Sequence, residues 1–214
     1  PMVREICDKY GVVMIVDEVI CGFGRTGKMF GIEHFGVDPD IMTVGKGISS
    51  SYLPLSGTVV SEDIADRFGG EGNQLVMAVT ASGHPVTAAA ALKNMEIIEN
   101  EGLVENSAVV GGYFKEQMIE IMEDHPSMGN VDGLGLFLGI DLVSNKHTKS
   151  RFENEGEVCD RLNERFRERH LILHAAGGKV YIAPPICTTA QDVDEMVMAI
   201  DLAIGDWEKE LGIK

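Results

Sequence analysis

The chain has 214 residues, of which 34 are acidic and 18 basic, so its formal net charge at pH 7 is −16. With 44% hydrophobic and 24% charged residues it has the composition of a globular protein, which excludes an extensively disordered chain. The acidic balance argues against a nucleic-acid partner, because phosphate contacts require basic patches, and it suits a protein that handles small molecules.

Two further classes find no support in the sequence. No apolar run reaches membrane-spanning length, so we expect no membrane partner. The cysteines stand far apart without C-x-x-C spacing, which predicts reduced thiols in a cytoplasmic protein, and neither disulfides nor a metal site. The four cysteines are Cys7, Cys21, Cys159 and Cys187.

The pattern of the first ten residues predicts a helix, Pro1–Tyr10, that Gly11 ends. The helix is already under way at the first residue, which is Pro rather than Met. We therefore expect the chain to be one piece of a longer polypeptide.

Two short apolar runs predict buried strands, each followed by one ionisable residue. Val12–Val16 is β-branched at four of its five positions, as in a strand covered on both faces, and it leads to Asp17. Ile41–Val44 follows a Pro-marked turn and leads to Lys46, which stands between two glycines. Ligands of open α/β sheets bind beyond the carboxyl ends of the strands, so this acid and this amine can share one site.

An acid and a flexible amine at the edge of a sheet suit pyridoxal phosphate (PLP). The amine of Lys46 can form a Schiff base with the cofactor aldehyde, and a carboxylate against the pyridine nitrogen keeps that nitrogen protonated. The displaced lysine can then carry a proton between carbons. The glycines beside Lys46 leave room for a ring close to the backbone. Taken singly, Asp17 would more often be a cap and Lys46 a solvated surface residue.

The stretch IVDEVICGFGRTGKMFG, followed by PDIMTVGKGISSSYLPLSG, resembles the signature of the class III (ω-amino acid) aminotransferases. The resemblance continues to the C-terminus and implies an α/β fold of type I, with part of a mostly parallel large-domain sheet and a small α+β C-terminal domain. It implies that Asp17 is the pyridinium partner, that Lys46 is the Schiff-base lysine and that Val19 packs on the ring face. The family's phosphate cradle and stacking aromatic lie upstream of these residues, so we expect the N-terminal half of the same protein to be missing here.

A nucleotide-binding protein is the alternative from another class. Gly22–Gly27 (GFGRTG) matches G-x-G-x-x-G, and Gly22–Lys28 matches G-x-x-x-x-G-K. A P-loop, however, needs Ser or Thr after the lysine to hold magnesium, where this chain has Met29, and it needs a helix to begin there. Residues 30–36 contain two glycines and are poor helix formers. We interpret GFGRTG instead as a tight loop near the cofactor.

The chain after Lys46 predicts a strand at Gly57–Val60, a helix from a Ser61 cap to Phe68, and an Ala-rich helix at Val86–Glu99. The TASGHP segment precedes the last of these. Its resemblance to the family implies that Thr80 reaches the cofactor phosphate of the neighbouring subunit, in a homodimer or homotetramer. His84 is interpreted as a structural residue at the helix N-terminus.

The pattern changes near residue 103, where we place a boundary between residues 1–102, the C-terminal part of the large PLP-binding domain, and residues 103–214, the small domain. The second part predicts helices, short strands and three methionines that fill its core, namely Met118, Met122 and Met128. The predicted elements are a helix Leu103–Glu123 interrupted at Gly111-Gly112, a strand pair in Val131–Val143, a helix Glu155–Arg169, strands Leu171–Leu173 and Val180–Ile182, and a final helix capped by Thr189.

His174 stands where many ω-transaminases, by resemblance, place an arginine that clamps the substrate carboxylate. A histidine cannot form the same bidentate clamp and is charged only in part at neutral pH. We expect either a substrate-binding histidine or a partly exposed loop residue.

The reaction predicted is ping-pong transfer of an amino group. The donor is a terminal amine or an ω-amino acid, such as taurine, β-alanine or a diamine, and the acceptor is a small 2-oxoacid such as pyruvate. Within the same fold an aminomutase or a PLP-dependent decarboxylase remains an alternative, because Asp17 and Lys46 would serve all three reactions.

Overall fold

The computed structural model of the chain describes residues 1–77 and 79–213, so Ala78 and Lys214, one in each predicted domain, lie outside the described residues. The chain divides into two compact units, Pro1–Glu105 and Asn106–Lys214. None of the helices formed by the described residues is long and apolar enough to cross a membrane.

The first unit contains a three-stranded sheet with the order β1-β2-β3. Strand β1 runs parallel to β2, and β2 pairs antiparallel with β3. The elements are α1 (Met2–Tyr10), β1 (Ile15–Asp17), β2 (Ile41–Val44), β3 (Gly57–Val60), α2 (Glu62–Ala65) and α3 (Pro85–Asn100).

The strand predicted at Val12–Val16 is shorter and more exposed than its composition indicates. Strand β1 begins only at Ile15. The side chains of Val12 and Ile15 are 55% and 62% exposed, because the described part of the first unit leaves this surface of its edge strand open. The prediction of a strand covered on both faces is therefore wrong for the described residues.

The other predicted elements of the first unit are confirmed with small changes. Gly11 ends α1 in the left-handed region, with a φ of 63°. Strands β2 and β3 have the predicted bounds, and α3 is one residue longer at each end than predicted. Beyond Ala65 the helix that follows Ser61 tightens into a 3-10 turn, Asp66–Phe68, which reaches the predicted end.

The second unit contains a four-stranded antiparallel sheet with the order β4-β5-β7-β6. Three helices accompany the sheet in the described part of this unit. Its first helix, α4 (Leu103–Asp124), has its first three residues in the first unit. The elements that follow are β4 (Met128–Leu134), β5 (Phe137–Leu142), α5 (Glu155–Glu168), β6 (His174–Ala176), β7 (Lys179–Ile182) and α6 (Ala190–Leu211).

One apolar core lies between this sheet and its helices. Phe114 from α4, Phe166 from α5 and Trp207 from α6 are fully buried in it, as are Met118 and Met128, which confirms their prediction as core residues. Burial of a side chain of this kind stabilises a fold by about 1.5–3 kcal/mol. The Trp207 indole also donates a hydrogen bond of 3.1 Å to the carbonyl of Val158, so its one polar group is satisfied.

Helix α4 runs without a break through Gly111 and Gly112, so the predicted interruption is wrong. A Cβ atom on Gly111 would lie 2.1 Å from the carbonyl carbon of Gly135, in the turn between β4 and β5. The glycine thus allows the helix to approach the hairpin backbone closely, which offsets its low helix propensity.

The strand predicted at Leu171–Leu173 is also wrong, because β6 begins at His174. Leu171 and Leu173 pack against the core while Ile172 is fully exposed, which produces a strand-like alternation without a ladder. The ladder starts where the Asn163 amide pairs with both backbone groups of Ala175, at 3.0 Å to its carbonyl and 2.8 Å from its N–H.

Candidate active site

Asp17 and Lys46 lie at the same edge of the first sheet. Strands β1 and β2 are parallel, and Asp17 pairs in register with Thr43, three residues before Lys46. Asp17 is the last residue of β1, and Lys46 begins the 3-10 turn Lys46–Ile48 just after β2. Both side chains are exposed at this edge. The parallel pairing therefore brings together the acid and the amine that the sequence placed at two strand ends.

The Asp17 carboxylate is held in a fixed orientation. Its Oδ1 accepts a hydrogen bond of 2.9 Å from the backbone N–H of Val19 and one of 3.3 Å from the Thr43 hydroxyl. The first bond closes a tight turn after β1, and the second ties the carboxylate to the neighbouring strand. Because both bonds end on Oδ1, they point the carboxylate along one direction at the sheet edge.

Val19 lies against the residue that precedes Lys46. A Cβ atom built on Gly45 would be 3.5 Å from Val19 Cγ1 and 3.7 Å from its Cγ2. The structure therefore gathers Asp17, Val19 and Lys46 at one place, where Val19 presents an apolar surface beside the polar pair.

The GFGRTG loop packs directly against the Lys46 turn. A Cβ on Gly47 would lie 3.1 Å from Phe23 Cβ and 3.3 Å from the carbonyl oxygen of Gly22. The space beside Gly47, predicted to admit a cofactor ring, is thus taken by this loop. After Lys28 no α-helix begins, since Gly31–Phe35 forms only a 3-10 turn, and the P-loop geometry is not met.

Glu18 has a structural role that the sequence did not predict. Its side chain is only 2% exposed, and its two carboxylate oxygens accept hydrogen bonds from the N–H groups of Gly31, at 2.9 Å, and Ile32, at 2.7 Å. These two bonds close the loop of residues 19–30, which contains GFGRTG. Adjacent side chains at a strand end point to opposite sides, so Asp17 faces the site while Glu18 holds the loop.

Two groups beside this cluster have altered proton affinities. Burial raises the pKa of the Cys21 thiol, and the nearby Glu18 and Asp17 carboxylates raise it further, so the thiol stays protonated and a weak nucleophile. Burial lowers the pKa of the Arg25 guanidinium, which nevertheless remains a cation at neutral pH.

Thr80 and His174 lie in segments other than the β1–β2 edge that carries Asp17 and Lys46. Thr80 is exposed in the turn region before α3. His174 is the exposed first residue of β6, stacked on Tyr181 with ring centroids 6.4 Å apart. His84 caps α3, since its Nδ1 accepts a hydrogen bond of 3.2 Å from Val86 N–H, which confirms its structural interpretation.

The model of the family described as aminotransferase class-III matches residues 1–204 of this chain. The chain belongs to the class III aminotransferases. The family assignment made from the IVDE and GKG segments is thereby confirmed.

Members of the family with known names resemble the chain over nearly its whole length. A putrescine–pyruvate aminotransferase from Pseudomonas aeruginosa is 37% identical over 197 residues, covering 92% of this chain and 43% of the relative. A taurine–pyruvate aminotransferase from Bilophila wadsworthia is 37% identical over 227 residues, covering 99% and 48%. The chain spans about half the length of the curated relatives it matches.

A solved amine transaminase structure shares the fold. The amine transaminase from an uncultivated Pseudomonas species, in its PLP-bound (internal aldimine) form, superposes with a TM-score of 0.92 at 36% identity, covering 96% of this chain and 47% of that one. The predicted α/β fold of the type I PLP-dependent transferases is therefore confirmed.

Proposed function

We propose that the chain is the cofactor-lysine half of a PLP-dependent class III aminotransferase, with Lys46 and Asp17 as its catalytic residues. The observation that carries the proposal is the parallel pairing of β1 and β2, which places the amine and the carboxylate at one sheet edge. The missing phosphate cradle and ring-stacking aromatic would come from an N-terminal half of the same protein.

The side chains of the cluster fit PLP. The Asp17 carboxylate, oriented by its bonds at Oδ1, suits a pyridinium N–H, and the exposed Lys46 amine suits an aldehyde. The methyl groups of Val19, which lie beside Gly45, suit the face of an aromatic ring. When bound, PLP supplies the electron sink that allows a bond at the amine-bearing carbon of the substrate to break.

Each residue of the cluster then has a separate task. The negative charge of Asp17 holds a proton on the ring nitrogen, because an opposite charge nearby favours the charged form. Lys46 Nζ holds the cofactor and moves a proton between two carbon atoms. Val19 fixes the orientation of the ring, and Glu18 maintains the loop that borders the Lys46 turn.

We assign as substrates a terminal amine or ω-amino acid as donor and a small 2-oxoacid such as pyruvate as acceptor. The named relatives support this assignment, because one acts on putrescine and pyruvate and another on taurine and pyruvate. His174 is assigned to the substrate carboxylate, which it would bind through a single hydrogen bond in place of a bidentate clamp. An aminomutase or decarboxylase would use the same Asp17 and Lys46 but would form no alanine from pyruvate.

The proposal extends to domains and assembly. The first unit corresponds to the C-terminal part of the large PLP-binding domain, predicted at residues 1–102, and the second to the small domain, predicted at 103–214. Thr80, exposed ahead of α3, is assigned to the cofactor phosphate of a partner subunit, in a homodimer or homotetramer.

The experiment compares two lysines in the complete enzyme. Lys46→Ala is expected to lose the cofactor label fixed by borohydride reduction and to lower alanine formation from pyruvate by about three orders of magnitude. The control is Lys28→Ala, which removes an exposed lysine of the GFGRTGK segment and should change neither readout. A borohydride label on Lys28 or on another lysine would overturn the assignment of Lys46.

A further inference from the structure

We propose that Asn94, on α3, is a positioning residue that holds the Lys46 turn, taken here as residues 46–51, and so determines where the lysine amine lies. The proposal rests on the function proposed above, because the placement of Lys46 matters only if its amine takes part in the reaction. Asn94 itself bonds to the turn backbone and to Ser50, and acts on the chemistry only through Lys46.

The backbone that carries Lys46 is in an unusual conformation. Lys46 has a φ of 37°, and Ser50 and Ser51 have φ values of 46° and 59°. For residues with a Cβ atom this left-handed region is sterically unfavourable, so such residues persist there only where their surroundings hold them. Three such residues within six positions predict a turn that would relax to other conformations without external contacts.

Asn94 supplies these contacts from a regular helix. Its Nδ2 donates hydrogen bonds to the carbonyl oxygens of Gly47, at 2.8 Å, and Ile48, at 3.3 Å. Its Oδ1 accepts a hydrogen bond of 2.7 Å from the Ser50 hydroxyl. The two carbonyls can only accept, so they fix which end of the amide is the NH2 group. One side chain therefore spans the turn from the residue after Lys46 to the first of the two left-handed serines.

The amide group is specific to this task. An aspartate of the same shape could still accept from Ser50, but it would place a negative oxygen against two carbonyl oxygens and would donate to neither. An alanine would remove all three bonds. The remaining side of the turn is supported by packing of Gly47 on the GFGRTG loop, which a change at Asn94 leaves in place. Loss of the Asn94 amide should therefore free the turn without unfolding the sheet.

The test uses the complete enzyme with Asn94→Ala and Asn94→Asp. The matched control is Asn100→Ala, the same replacement of Asn by Ala at the exposed last residue of α3. The first readout is hydrogen exchange of the amides of residues 46–51 in the cofactor-free protein. Both Asn94 variants should exchange faster there than the unchanged protein and the control.

The second readout is made on the PLP-loaded enzyme with a diamine donor and pyruvate. Both Asn94 variants should lower kcat by about tenfold or more, since a small misplacement of a reacting group is costly. The KM for the donor should stay within about twofold, because Asn94 makes no contact that binds substrate.

The outcomes separate this inference from the proposed function. If the unchanged enzyme shows no cofactor band and no alanine formation, the proposed function fails, while the exchange measurement still reports on the turn. Unchanged exchange, or faster exchange with unchanged kcat, would overturn the positioning role. If Asn94→Ala does not fold, Ser50→Ala removes only one of the three bonds and should give a smaller change of the same sign in each readout.

Discussion

The aromatic side chains Phe114, Phe166 and Trp207 of the second unit are fully buried in its core, whereas many large apolar side chains of the first unit are exposed. In the first unit Val3 and Ile15, among others, are more than half exposed along α1 and β1. The second unit therefore buries most of its large apolar side chains in its own core, while the unit that carries Asp17 and Lys46 leaves more of its apolar surface open.

The buried carboxylates of the two units differ as well. In the first unit Glu18 bonds to backbone N–H groups and shapes a loop beside the candidate site. In the second unit Glu208 lies 2.7 Å from His125, which also lies 2.8 Å from Asp201, so that this network joins the end of α4 to α6. Glu18 thus holds a loop in place, whereas Glu208 joins two elements of the second unit.

The largest effect expected from this contrast is the loss of stability when a buried side chain of the second unit is truncated. Phe114→Ala should lower the free energy of unfolding of the 214-residue chain by about 3–5 kcal/mol, because it leaves a cavity in a closed core. Ile15→Ala should change it by no more than about 0.5 kcal/mol, as at other exposed positions. Urea denaturation followed by far-UV circular dichroism, which reports on both units, measures both. Equal costs would show that β1 is packed as tightly as the second unit.

The same Ile15→Ala change can sharpen the comparison in the complete enzyme. If the complete enzyme, as proposed above, covers the open surface of β1, the substitution should there cost about 2–4 kcal/mol. A cost that stays below about 0.5 kcal/mol in the complete enzyme would contradict a covered surface.

A smaller effect is expected at His125. Burial by itself lowers the pKa of this imidazole, but the hydrogen bonds to Glu208 and Asp201 together outweigh it and raise the pKa above 6.5. Burial likewise raises the pKa of Glu208, but the bonds from His125 and Ser127 outweigh it and hold the pKa below 4.5. The histidine contributes stability that is complete below pH 6.5 and is lost as the pH rises through its raised pKa. The glutamate contributes stability present above pH 4.5 and lost as the pH falls through its lowered pKa.

His125→Ala should therefore cost most between pH 4.5 and 6.5, where both groups are charged. The expected cost there is about 3 kcal/mol, since the variant leaves a buried carboxylate without its partner. The cost should decrease as the pH is raised to about 8.5. Urea denaturation across this range measures it, with the exposed His147→Ala as control. A cost independent of pH would mean that His125 is neutral in the folded protein.

Much of the fold could be predicted from the sequence because its signals are local. Strand β2 follows a Pro-marked turn, α3 begins at a His-Pro pair, and α6 begins at a Thr cap, and each was found within one or two residues. The failures depend on contacts distant in sequence. Gly111 is needed inside α4 because the backbone of Gly135 lies too close for a Cβ atom. Strand β6 starts where the Asn163 amide pairs with the backbone of Ala175.

The same distinction applies to the candidate site. Asp17 and Lys46 could be placed because the end of a parallel strand is a local feature with a known spatial consequence. Glu18 could not, because its partners are backbone amides 13 and 14 residues further along, which have no sequence signature. Asn94 was missed for the same reason, since the carbonyls it bonds lie 47 and 46 residues before it.

The smallest expected effect compares helix caps in the two units. Thr189 caps α6 with a reciprocal pair of bonds: its hydroxyl accepts from Asp192 N–H at 3.2 Å, and its own N–H donates to the Asp192 carboxylate at 2.8 Å. Ser61 occupies the same position before α2 without a side-chain capping bond. Thr189→Ala should therefore lower the free energy of unfolding by about 1 kcal/mol. Ser61→Ala should lower the free energy of unfolding by no more than about 0.3 kcal/mol. Both can be measured by urea denaturation of the 214-residue chain. Equal losses would indicate that the Ser61 hydroxyl does cap α2 in solution, and that the first unit is held by local polar contacts as firmly as the second.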